Sequence, residues 1–82
     1  MVEKIKPSRE LIERWEKEDE EARRIRREKA DWRFIEEQEP LIKLALIVYI
    51  ETGDIYRASR IAGLTIDEFN EIRLKAKIPH IT

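Results

Sequence analysis

Four arginines flank one isoleucine in the run Arg23-Arg24-Ile25-Arg26-Arg27, and Trp32, Arg33 and Phe34 follow closely. A guanidinium presents a rigid fork of donors that matches carboxylates and phosphates. Tryptophan and arginine are also the side chains that dominate protein interfaces. Arg23, Arg24, Arg26, Arg27, Trp32, Arg33 and Phe34 are therefore the candidate partner-binding residues. Their chemistry is charge pairing around an apolar anchor, as in a helix that lies in a groove.

A second set lies further along. Arg57, Arg60, Asn70, Arg73, Lys75 and Lys77 are the candidate DNA-binding residues. Arg57, Arg60 and the later cations could reach phosphates, and Asn70 could read a base edge. Asp67, Glu68 and Glu71 stand where a recognition helix normally offers donors to bases, which weakens that reading.

Catalytic chemistry finds little support. There are no cysteines and one histidine, His80, which reads as a solvated tail residue. No Ser-His or Cys-His pairing is available, and the carboxylates alternate with cations along helical stretches. No enzyme activity, cofactor or metal site is expected.

These residues need elements to hold them. The 82 residues allow one small domain, with 17 basic and 18 acidic side chains that nearly cancel. A polycationic nucleic-acid binder is excluded by that balance. No apolar run is long enough to cross a bilayer, and the first residues lack the apolar core of a secretory signal. The expected location is cytoplasmic. Thirteen isoleucines, one Asn, one Gln and dense opposite charges fit a thermophile's usage.

Composition changes at Pro40. Residues 1–39 carry 11 basic and 13 acidic side chains, whereas 41–82 carry 6 and 5 with most of the aliphatic ones. The first part reads as one long charged helix from Ser8 to about residue 38, a partner-binding or dimerising arm. Asp19 with Arg23 and Glu20 with Arg24 have the spacing for ion pairs along it. Leu11, Trp15, Ala22, Ile25 and Trp32 form a broken heptad stripe, interrupted by Glu18 and Lys29. The sparse apolar content of its middle predicts that this section projects into solvent or lies on something else.

Residues 40–78 read as a compact three-helix unit, with 79–82 as a tail. LIKLALIVYI (41–50) is apolar almost all round and predicts a buried central helix. Gly53 stops it, Asp54 caps a helix to about Ala62, and Gly63 turns the chain. Thr65 and Glu68 form a capping box that opens a helix to about Lys77. The fold class is all-α: a long charged N-terminal helix, then a compact unit containing a helix-turn-helix-like pair.

The segment LIKLALIVYIETGDIYRASRIAGLTIDEFNEIRLKAKIP resembles a family of small VapB-like antitoxins, mainly archaeal and cyanobacterial. The matching residues are Tyr49, Gly53, Ile55, Ala58, Ala62, Gly63, Leu64, Thr65, Glu68, Phe69, Ile78 and Pro79. They cover about residues 41–79. Ser59 departs from the family's second alanine, and the family often continues into an acidic tail beyond the Ile-Pro. The resemblance implies a regulator that binds a nuclease toxin and represses its own operon. Toxins of this kind have acidic metal-binding sites, so an inserted arginine would block them electrostatically. Two alternatives stand beside this reading: a dimeric helix-turn-helix DNA-binding regulator, and an oligomerisation module.

Overall fold

The structure, a computed structural model, describes residues 8–81. Pro7 and the stretch before it, and Thr82, lie outside the described residues. The order is α1 (Arg9–Lys29), α2 (Trp32–Glu36), α3 (Pro40–Thr52), α4 (Ile55–Ala62) and α5 (Ile66–Lys75). The protein is all-helical, with a long first helix followed by a compact helical unit. No helix among the described residues is long and apolar enough to cross a membrane.

Local chemistry sets most boundaries. The Ser8 hydroxyl accepts the Leu11 N–H at 3.2 Å and starts α1. Pro40 sits in the first turn of α3, where its missing N–H costs nothing. Asp54 caps α4 by accepting the Arg57 N–H at 3.0 Å. Thr65 and Glu68 complete their reciprocal capping box at the start of α5.

The helix stops use left-handed residues. Gly53 (φ 70°) and Gly63 (φ 68°) take that conformation, which costs other residues about 1–2 kcal/mol. Lys77 also adopts it, at φ 58°. Beyond α5 the Ile78 N–H donates to Arg73 O and the Lys77 N–H to Leu74 O, so the last turn closes as a Schellman motif.

One expectation fails. The helix from Ser8 does not run to residue 38. Ala30 is extended (φ −59°, ψ 140°) and α1 ends at Lys29. The Asp31 N–H donates to Ala76 O at 2.7 Å, a bond to the far end of the chain. The Asp31 carboxylate accepts the Phe34 N–H and begins α2. The Trp32 indole then donates to Arg27 O at 2.8 Å, satisfying a carbonyl that the break exposes. A tertiary hydrogen bond and a cap thus outweigh the local propensity to continue.

The core joins Ile35, Ala45, Leu46, Tyr49, Ile50, Ala58, Phe69, Ala76 and Ile78. It reaches back across Pro40, because α2 contributes Ile35 and Ala30 packs beside it. Tyr49 and Phe69 meet as tilted rings, 5.9 Å between centroids. The α3 helix is not enclosed on all sides as its composition predicts: Leu41 and Leu44 are exposed. Three short helices and one end of α1 are too few to surround it.

Candidate interaction surface

The residues expected to bind a partner divide into two groups. Three of the four arginines turn inward to the end of α3. Arg26 Nε donates to Ile50 O at 2.8 Å, and Arg23 Nε donates to Glu51 O at 3.0 Å. Arg27 Nη2 pairs with the Glu51 carboxylate, which Arg23 also approaches at 3.6 Å.

The reason lies in how α3 ends. Gly53 donates to Tyr49 O, closing a single-bond left-handed cap. The carbonyls of Ile50 and Glu51 are then left without helical partners. The last turn of α3 carries no basic residue of its own. Arginines from α1 supply both the missing donors and the positive charge that the negative helix end favours.

Arg26 is only 6% exposed, and burial holds its guanidinium below the ordinary value. No buried side-chain nitrogen or oxygen lacks a partner among the described residues. Arg26 is thus withdrawn from the surface, contrary to the expectation that it faces a partner, whereas Arg23 and Arg27 share Glu51 and keep 41% and 54% of their side chains exposed.

The remaining residues of that set differ. Arg24 is exposed and makes no ion pair with a described residue. Arg33 is exposed beside Glu37 at 3.8 Å, a surface pair of little energetic weight. Trp32 is partly exposed with its N–H engaged on Arg27 O. Phe34 packs against the core.

The candidate DNA residues are likewise split. Arg73 is buried: its Nε donates to Asn70 Oδ1 at 2.9 Å and its Nη1 to Ile78 O at 2.7 Å. Its guanidinium lies 5.9 Å from the centroid of the Tyr49 ring. Arg73 and Asn70 thus tie the Ile78 segment to the core and are not free to read DNA, contrary to the sequence expectation. Arg57, Arg60, Lys75 and Lys77 remain exposed. The exposed positions of α5 are Ile66, Asp67, Glu68, Glu71, Leu74 and Lys75, three carboxylates against one cation, which is ill suited to phosphates.

His80 is not merely a solvated tail residue. Its Nδ1 lies 3.2 Å from the Tyr49 hydroxyl, with the ring otherwise exposed.

The sequence marks Leu11, Ile12 and Trp15 as an apolar cluster at the start of the arm, but Ile12 and Trp15 are absent from the expected partner-binding set. Ile12, Trp15, Asp19, Ala22 and Arg26 follow alternating spacings of three and four, which place them on one seam. This seam replaces the stripe through Leu11 and Ile25 as the one that meets the body of the protein. Its C-terminal end, at Arg26, is buried against α3. Its N-terminal end is open, with Ile12 41% and Trp15 47% exposed. The Asp19–Arg23 and Glu20–Arg24 ion pairs do not form; Arg23 turns to Glu51 instead. Glu16, Glu18, Asp19, Glu20 and Glu21 make no ion pair with any described residue.

An open groove of about 550 Å³ marks the corner between this arm and the body, lined by Glu18, Asp19, Ala22, Arg26, Gly53 and Ile81 among others. Among the described residues no group of three or more His, Cys, Asp or Glu is placed to hold a metal ion. Comparison of the chain with protein-family models, curated proteins and solved structures gave no match.

Proposed function

We propose that this protein is a small helical regulator of the antitoxin type, which binds a nuclease toxin through the projecting half of α1. One observation carries the reading: Ile12 and Trp15 lie exposed on a helix that the described residues cover only at the other end. Exposed tryptophan on an otherwise charged helix is a strong anchor for a protein groove. The compact unit then acts as a rigid base that fixes where the arm points. Arg24 on α1 and Arg33 on α2 are further exposed cations of the expected partner-binding set.

The experiment is co-expression with the product of the adjacent reading frame. The expected result is co-elution of the two chains and loss of nuclease activity at saturating ratio. Unchanged nuclease activity at saturation rejects the antitoxin reading.

Operator binding is a second reading, favoured by the exposure of Arg57 and Arg60 on the first helix of the α4–α5 pair. These side chains suit phosphates rather than bases. The expected behaviour is duplex binding that weakens steeply with salt and disappears in R57A/R60A. Absence of binding at low salt rejects it.

A further inference from the structure

The arm's exposed surface is acidic, although the sequence first draws attention to its arginines. Residues 10–21 hold seven acidic and two basic side chains, a net charge of −5. The arginines that follow offset this charge only in part, because Arg26 is buried at the end of α3 and Arg23 and Arg27 share the Glu51 carboxylate. What remains for a partner is an apolar pair, Ile12 and Trp15, within a field of carboxylates.

We infer that the arm docks as a helix into a cationic groove with an apolar floor on a partner protein. This rests on the reading of the arm as the partner-binding element and adds the chemistry of its partner. Ile12 and Trp15 enter the floor. Asp19, which interrupts the seam between Trp15 and Ala22, meets a lysine or arginine of the groove. Glu16, Glu18, Glu20 and Glu21 meet its basic rim. The corner groove beside Gly53 and Ile81 receives the edge of the partner where the arm joins the body.

A second copy of this chain is a poor occupant. Antiparallel pairing centred on Ala22 would set the acidic stretch against the arginine run. Arg26 is buried within its own chain and Arg23 and Arg27 already share Glu51, so fewer cations than carboxylates are left to face the other copy. Like-charge juxtaposition of that kind suppresses association. An anionic membrane surface is disfavoured for the same reason.

The test uses the full chain carrying Trp32→Phe, so that Trp15 is the sole tryptophan reporter. The probe is a synthetic amphipathic Leu/Lys helix, with Leu/Glu and Leu/Ser helices as controls. The Leu/Lys helix is expected to shift Trp15 emission to shorter wavelength. Its affinity should fall at least about tenfold between low salt and about 1 M salt, where the screening length is about 3 Å. I12S should weaken binding, and D19K should weaken it further; both positions are exposed, and circular dichroism verifies the fold.

Equal binding of the Leu/Glu helix, insensitivity to D19K, or no shift with Leu/Lys overturns the inference. So does a chain that sediments as a dimer through the arm. The antitoxin reading is judged separately by the nuclease assay. Nuclease inhibition that survives I12S and D19K would leave that reading standing and remove this one.

Discussion

The Arg26 side chain shows how much one residue can be asked to do. Its Nε fills the carbonyl of Ile50, and its guanidinium lies against Gly53, where an added Cβ would come within 3.2 Å of Nη1. Arg26→Ala removes a charged hydrogen bond and leaves a buried carbonyl unpaired, an expected loss of about 2–3 kcal/mol. In a chain of this size each kcal/mol lowers the melting temperature by about 4–8 °C. Gly53→Ala should cost more than Gly63→Ala. Both glycines are left-handed, but nothing lies within 4 Å of a Cβ at Gly63. The excess at Gly53 arises from displacing Arg26, so it should vanish in the R26A background. A double-mutant cycle read by thermal melting measures that coupling. Additive effects of R26A and G53A would show that the guanidinium is not what makes this glycine special.

At the scale of elements, the parts set by neighbouring residues were legible and the parts set by distant ones were not. Ser8, Asp54 and the Thr65–Glu68 box mark helix starts because each cap is completed within three residues. The glycine stops are equally local. The break at Ala30–Asp31 depends on Ala76 O, and the use of Arg23 and Arg26 depends on carbonyls of α3. No spacing within residues 23–31 records either partner, so the arginines read as a free surface. The capping box yields a pH prediction. Hydrogen bonds from Thr65, the backbone N–H first and the hydroxyl second, hold the Glu68 carboxyl below its usual range. A depressed folded value stabilises the fold above the unfolded value of about 4.3 and loses that contribution as pH falls through the folded value. Acid melting of wild type and E68Q should therefore differ above that window and converge below it. Parallel curves throughout would remove the carboxylate from the cap's energetics. Lys77 offers a gain: it sits left-handed at the end of α5 with its side chain exposed. K77G should raise stability by about 0.5–1 kcal/mol, measured by urea titration.

The whole molecule measures 50 × 29 × 18 Å with a radius of gyration of 15.3 Å. A compact chain of this length would have about 12 Å. The excess comes from α1, whose 21 residues span about 31 Å at the helical rise. Among the described residues only its second half is fastened, by the arginines at the end of α3 and by Trp32 on Arg27 O. The first half keeps its helical hydrogen bonds with Ile12 and Trp15 exposed and Leu11 half-buried, which places it at the low-stability end of the molecule. Amide exchange should therefore divide α1 near Ala22. Peptides covering 12–21 should exchange by local opening well before those covering 26–29, while peptides from 45–50 in α3 hold out to the global unfolding limit. R26A should lower protection in the fastened half and in α3 and leave the first half as fast as before. A bound partner reverses the pattern, since covering Ile12 and Trp15 couples the arm's opening to dissociation. Uniform slow exchange along all of α1 in the isolated chain would mean that its apolar seam is already covered, and that the arm is not available for a partner.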